Sequence, residues 1–315
     1  MTRSVVRKVR ADGTPVYRHE TRRGLPTVSA ERFDVATEHA ALPPAHPHVH
    51  DFLVLVYVEE GTGTFEVDGT EQQLRPGAVH AVPPGQVISP GALSGVVRCT
   101  AWSLAFTPDA VPALATVSPL AWTHHPLLAL FAPGAGPGMV AEAERPTWAR
   151  WLADLSAELH QPQRPGAGEA VAATLTRILV ASARLATSEP KAPDPLVERV
   201  FQQIEATYRD PVSARDVARA LSYTPGHLTT VVRQRSGRTL VEWITERRMT
   251  EVRRLLRETD LPLGVIAAQT GLRDATYLVR RFRKHYGTTP QRWRAGQRVP
   301  TPGKSGEPEV TDAFD

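Results

Sequence analysis

The chain has 315 residues, of which 41% are hydrophobic and 22% charged, with a formal net charge of +4. That length allows two or more ordinary globular domains, and no stretch approaches the roughly 18 unbroken apolar residues of a membrane-spanning helix. A single cysteine, Cys99, excludes an internal disulfide and any thiolate-only metal cluster, so zinc fingers are ruled out.

The net charge conceals an asymmetry. Residues 1–189 hold 15 Lys+Arg against 18 Asp+Glu, residues 190–298 hold 21 against 11, and the tail 299–315 holds 1 against 4. A local surplus of ten positive charges, nearly all arginine, is the electrostatic footprint of a polyanion binder, although a solvated basic face has the same composition. The N-terminus MTRSVVRKVRADG is basic with no apolar run behind it, which makes the cytoplasm the expected compartment.

The stretch HPHVHDF, residues 46–52, places three histidines on alternate positions, and a strand there would turn them to one side. Such a set serves either a metal or an organic ligand. Residues 53–106 then read as β structure. LVLVYV, TFEV, QQLR, AVHAV and VVRCTAWSLAF are separated by EEGTG, the Asp68-Gly69 turn, RPG and PPG, a pattern that predicts a sandwich or small barrel.

From Trp148 the period changes to that of a helix. Trp148, Trp151, Leu152, Leu155 and Leu159 share one face, and Val171, Leu175, Ile178, Leu179 and Leu185 form a second stripe after the break QPQRPGAG. Two such helices make a hairpin that either caps its own domain or pairs protomers. SEPKAPDP, residues 188–195, reads as a linker with few contacts across it, and the tail VPTPGKSGEPEVTDAFD is expected to be disordered.

The helical region contains an internal repeat. Val217-Ala218 and Ser222 match Ile266-Ala267 and Gly271 at an offset of 49. His227-Leu228, Val232, Gly237 and Trp243 match Tyr277-Leu278, Phe282, Gly287 and Trp293 at an offset of 50. Each copy is a short helix, a tight turn and a longer basic helix, which is the helix-turn-helix plan. Between the copies, Val241, Ile244, Val252 and Leu255 fall at helical spacing and predict a rigid connecting helix.

At these residues the chain resembles the AraC/XylS family of transcription regulators. The second copy matches the family signature throughout: Ile266-Ala267, Gly271-Leu272, Asp274, Tyr277-Leu278, Arg280, Phe282-Arg283-Lys284, Gly287, Thr289-Pro290 and Trp293-Arg294. Leu272 stands where phenylalanine is usual and Trp293 where tyrosine is usual. The first copy, with Thr224-Pro225-Gly226-His227-Leu228 and Gly237, is similar but looser.

On the first recognition helix Leu228, Val231 and Val232 are at core spacing, and on the second Tyr277, Leu278 and Phe282. The resemblance implies that Gly226, Thr229 and Thr230 face bases in one major groove, and Ala275, Thr276, Val279 and Arg280 in another. Arg233, Arg283 and Lys284, nearer the helix ends, are expected to hold phosphates. Only Arg280 offers the paired donors that match guanine.

Members of this family often carry an N-terminal cupin barrel as a sensor, and metal-binding cupins share the motifs H-x-H-x(3,4)-E-x(6)-G and G-x(5)-P-x-G-x(2)-H-x(3)-N. Here His48-x-His50 leads to Val54 where glutamate should be, with Gly61 in place. Gly77, Pro83 and Gly85 fit the second motif, but Ile88 replaces its histidine and Ala92 its asparagine. A catalytic metal needs at least three protein ligands, so the histidines are expected to serve an organic effector, and neither metal nor cofactor is expected. The candidate pocket is His48, His50, Val54, His80, Ile88 and Trp102.

No G-x-S-x-G, phosphate-loop lysine, H-E-x-x-H or paired cysteines are present, and no catalytic residues are assigned. The expected architecture is α+β multidomain: a cupin-like β-barrel over 1–115, a helical hairpin for dimerisation over 116–188, a linker over 189–195, an all-α domain with two helix-turn-helix motifs on a connecting helix over 196–298, and a tail over 299–315. The resemblance implies a DNA-binding regulator, more often an activator. Its expected partners are double-stranded DNA, a small-molecule effector and a second copy, with RNA polymerase a further candidate and no membrane. The rival reading is a metal-dependent cupin enzyme fused to a DNA-binding module.

Overall fold

The computed structural model describes residues 4–19, 25–35, 46–89, 99–115, 117–132, 134–186 and 194–297. The tail 299–315 and all but the end of the proline-rich linker lie outside these residues. In chain order the strands are β1 (Ser4–Val9), β2 (Pro15–His19), β3 (Val28–Val35), β4 (His48–His50), β5 (Leu53–Gly61), β6 (Gly63–Val67), β7 (Thr70–Leu74), β8 (Ala78–Val82), β9 (Val87–Ser89), β10 (Cys99–Phe106) and β11 (Gly138–Met139). The helices are α1 (Arg145–His160), α2 (Ala167–Arg184), α3 (Pro195–Thr207), α4 (Ala214–Ala220), α5 (Pro225–Ser236), α6 (Leu240–Glu258), α7 (Leu263–Gln269), α8 (Ala275–Tyr286) and α9 (Pro290–Gln297).

The strands form two sheets, β1-β2-β4-β9-β6-β7 and β11-β8-β5-β10-β3. The sequence pattern predicted a sandwich or small barrel, and the family resemblance a cupin-like barrel. Among the described residues the two sheets instead stay open and face each other across Val54, Val58, Phe65, Leu74, Val82 and Ala101. The other face of the second sheet packs Leu53, Leu55, Tyr57, Leu104 and Phe106 against α1 and α2. Burial on both faces is why β5 reads as a continuous apolar run with no alternation. The hairpin α1–α2 thus covers a sheet with Leu152, Leu155, Val171, Leu175 and Leu179, and the chain between β10 and α1 adds β11 to that sheet.

The repeat in the sequence is a repeat in hydrogen bonds. After α4, the amides of Leu221 and Tyr223 donate to Val217 and Ala218; after α7, those of Thr270 and Leu272 donate to Ile266 and Ala267, at the same offset of 49. Gly237 and Gly287 close α5 and α8 with φ of 73° and 75°, each donating to the arginine four residues back. The connecting helix α6 starts in a capping box made by Thr239 and Glu242. Ile244, Val252 and Leu255 are buried along it, but Val241 is 49% exposed, because that position faces away from both helix clusters. Val231 and Tyr277, expected in the core, are only half-buried, whereas Leu228, Val232, Leu278 and Phe282 are fully enclosed.

Ser222 occupies the turn position that Gly271 fills in the other copy, with φ 63° against 67°. A side chain in the left-handed region costs about 1–2 kcal/mol, and glycine's extra unfolded-state freedom takes back part of that gain. Ser222→Gly is therefore expected to raise stability by about 0.5 kcal/mol net. Urea denaturation of the two proteins side by side checks it, and a less stable variant would contradict it.

The expectation of few contacts across the linker is not met. Leu120, from the N-terminal half, packs among Val200, Ile204 and Leu240. Arg253 on α6 pairs with Asp109, Ser118 donates to Glu205 at 2.9 Å, and Lys8 on β1 pairs with Glu242 at 2.6 Å. These partners lie far apart in sequence, so local patterning carries no trace of them.

Candidate functional site

The outward faces of α5 and α8 hold the predicted polar set. On α5, Gly226, Thr230 and Arg233 are exposed and Thr229 is half-buried. Gly226 has open space where a Cβ would stand, which leaves room for a close approach. Thr230 donates its hydroxyl to the Gly226 carbonyl at 3.0 Å, so it presents a methyl group and lone pairs outward.

On α8, Asp274 caps the helix by accepting from the Tyr277 amide at 2.7 Å, and that bond holds its carboxyl below the usual range. Ala275 is half-buried at the first helical position. Thr276, Val279, Arg280, Arg283 and Lys284 line one shallow concavity on the surface. The Arg280 guanidinium lies over the Tyr277 ring, 5.3 Å from its centre. Among the described residues neither Arg233, Arg280, Arg283 nor Lys284 has an acidic partner, whereas Arg235 is tied to Asp194 at 2.6 Å. The two faces therefore present uncompensated positive charge on opposite ends of one element. At about 1.5 Å per residue the 19 residues of α6 span roughly 28 Å.

In the N-terminal half the structure brings most of the predicted pocket residues together and removes one. His48 and His50 lie on one face of β4 with ring centres 4.8 Å apart, and Ile88 is the cross-strand partner of His48. Val54 packs in the same space between the sheets, so apolar side chains fill the two positions where cupin metal ligands would stand. Trp102 points the other way. It packs with the residues under α1 and α2 and donates to Glu59 at 2.9 Å, so it does not belong to this set. Both faces of β10 are apolar, and the pattern alone could not fix its parity.

Burial pushes the His50 imidazole down to about 3 and that of His80 to about 4, and it lowers His48 as well. All three are neutral near pH 7; His48 Nδ1 engages the His46 carbonyl at 2.8 Å, while His50 Nδ1 and His80 Nε2 are buried without a partner. Among the described residues no group of three or more His, Cys, Asp or Glu is placed to hold a metal ion.

Sequence reasoning missed a chain of buried charges that joins β1 to α8. Arg7 pairs with Asp51 at 2.7 Å and donates to His285 Nδ1 at 2.7 Å. An accepting Nδ1 places the ring proton on Nε2, which lies 3.4 Å from Glu246 Oε2. Burial opposes the charge on Glu246, but His285 and Arg238, the latter at 3.0 Å, outweigh it and hold the carboxyl far below its usual range. Burial also lowers His285, against the pull of Glu246, in keeping with a neutral ring that accepts from Arg7. The members of this chain of charges are scattered from Arg7 to His285, so no local motif marks them.

Two family profiles match the chain, one described as an AraC-like ligand binding domain over residues 35–179 and one as a helix-turn-helix domain over residues 217–296. The uncharacterized HTH-type transcriptional regulator YpdC of Escherichia coli is 28% identical over 108 residues, 34% of this chain and 38% of that protein. The multiple antibiotic resistance protein MarA of Escherichia coli is 26% identical over 98 residues, 31% of this chain and 77% of that protein. The matched segment thus spans little more than a third of the first relative's length. Among solved structures, the C-terminal domain of AraT, a response regulator from Geobacillus stearothermophilus, is 25% identical with a TM-score of 0.34, covering 38% of this chain and 98% of that one. No helix among the described residues is long and apolar enough to cross a membrane.

Proposed function

Because the chain belongs to the AraC/XylS family of regulators, with an AraC-like ligand binding domain and a helix-turn-helix domain, we propose that it is a sequence-specific transcription regulator controlled by a small organic effector. The observation that carries this reading is the pair of exposed, uncompensated basic faces on α5 and α8, joined by one rigid helix. Two helix-turn-helix heads on a connecting helix roughly 28 Å long suit two successive major grooves, which lie about 34 Å apart along the duplex.

Gly226, Thr229 and Thr230 face bases in the first groove, and Ala275, Thr276, Val279 and Arg280 in the second. Arg233, Arg283 and Lys284 hold phosphates. The domain limits of this reading are those predicted from the sequence: a cupin-like sensor over 1–115, a hairpin over 116–188 that pairs two copies, and the DNA-reading part over 196–298. The protein acts in the cytoplasm, and activation, with contact to RNA polymerase, is favoured over repression by the family's tendency. An effector acts by binding one arrangement of the two halves better than another, since equal affinity for both shifts nothing.

Arg280→Ala is expected to cost about 1–3 kcal/mol on the true operator and to relax preference at one base pair. Arg283→Ala should weaken all sequences alike and lower the salt slope by about one unit. Competition binding of both variants to operator and scrambled DNA at several salt concentrations tests this. Equal losses on both DNAs for Arg280→Ala would remove its assignment to a base.

A further inference from the structure

A cavity of about 1380 Å³ lies between the N-terminal half and the first copy of the repeat and has walls from both. Phe65, Leu128 and Phe131 give it an apolar side, while α3, with Gln202, and the turn from α5 to α6 close it opposite. Of the six pocket residues expected from the sequence, only His80 borders it.

Two residues lining this cavity carry unmet hydrogen-bonding groups. His80 Nε2 and Trp122 Nε1 are both shielded from solvent and have no partner. Leaving such a group unsatisfied is costly, and well-packed structures rarely do so without a reason. With the ring proton on Nδ1, Nε2 of the neutral imidazole is an acceptor. An indole N–H is a donor only. Three of the four lining cations are engaged, Arg235 with Asp194, Arg238 with Glu246 and Arg10 with the Gly85 carbonyl, and the fourth, Arg233, is exposed on α5.

We propose that this two-walled cavity is the effector site, and that it takes an uncharged amphipathic molecule with an apolar ring body, a hydroxyl that donates to His80 and a carbonyl-type oxygen that accepts from Trp122. This rests on the regulator reading and gives it a mechanism. A molecule held by both walls binds only the docked arrangement of the two halves, so its binding energy is spent on fixing the first copy of the repeat against the sensor. A molecule held between the sheets by His48 and His50 would have no such grip.

The test uses the full chain and a matched set of neutral probes, titrated calorimetrically at pH 7: a naphthalene bearing a hydroxyl and an acetyl group at opposite ends, acetylnaphthalene, and ethylnaphthalene. Each polar group is expected to add about tenfold in affinity. Trp122→Phe should erase the gain from the acetyl group, and His80→Leu the gain from the hydroxyl. Gln202→Trp, from the opposite wall, should weaken all three probes, and His50→Phe should change none. Equal affinity of the three probes for the unmodified protein, or discrimination that survives in both Trp122→Phe and His80→Leu, overturns the site. Full binding in Gln202→Trp overturns the shared wall. Salt-dependent binding to duplex DNA, measured on the same preparations, reports on the regulator reading separately. Its persistence beside a failed probe titration discards the cavity alone, and its absence beside a successful titration discards the regulator alone.

Discussion

Gly271→Ala is expected to destabilise the C-terminal helices by about 3 kcal/mol or more, far beyond what one added methyl group usually costs. Gly271 sits at φ 67° in the turn after α7, where any side chain is strained by about 1–2 kcal/mol. A Cβ there would also stand 2.3 Å from the Tyr208 carbonyl oxygen and 2.6 Å from that of Asp210. Both are backbone atoms at the end of α3, and Arg248 pins the same two carbonyls at 2.8 and 2.6 Å. The chain there cannot retreat without giving up those bonds, so relief must come from separating α7 and α8 from α3. Ser222 in the other copy shares the backbone angle but tolerates its side chain. Urea denaturation followed by circular dichroism measures the loss, and a Gly271→Ala protein within about 1 kcal/mol of the parent would contradict this packing.

The second large effect is acid lability of the N-terminal half. His50 and His80 are neutral when folded, with values pushed by burial to about 3 and about 4 against the ordinary 6.5. For a histidine whose folded value is depressed, the unfolded chain takes up the proton first. The stabilisation is complete above pH 6.5 and is lost as pH falls through the folded value. Each group then drains about 1.4 kcal/mol per pH unit, beginning near 6.5 and ending near 4 for His80 and near 3 for His50. At pH 5 the pair is expected to have cost about 4 kcal/mol, an upper figure since water entry softens burial. Denaturation curves between pH 7.5 and 5 check this. His50→Phe, which keeps the ring stacked on Phe52, should lower the slope by about 1.4 kcal/mol per pH unit below pH 6.5. A flat profile, or an unchanged slope in His50→Phe, would contradict the burial of neutral rings.

The two halves of the chain differ in how much their sequence discloses. In the C-terminal half each turn is closed by residues adjacent in sequence: Ala267 with Leu272, Arg283 with Gly287, Thr239 with Glu242. Helical period, caps and the repeat are all local, so the elements and the outward faces of α5 and α8 could be read directly. The N-terminal half was legible only where tight turns mark it, as at Asp68-Gly69, where both residues take positive φ between β6 and β7. Strands β1 and β2 lack any clear apolar alternation, and β1 exposes Val6 and Val9. Whether the sheets close depends on which strands pair at the edges, which no single stretch encodes. The candidate site divides in the same way. The outward position of Arg280 and its neighbours follows from helical spacing, whereas Trp102 was misplaced by parity. The contact of Arg7 with His285 spans 278 positions and leaves no local signal.

The claim that most needs testing is that one protomer carries two reading heads. Hydroxyl-radical footprinting of the full protein on its operator should show two protected segments per protomer about 10 base pairs apart, on one face of the duplex. With Arg280→Ala, guanine N7 protection from dimethyl sulfate should vanish from one segment while the other keeps its pattern. A single protected segment, or a uniform weakening of both in that variant, would contradict the account.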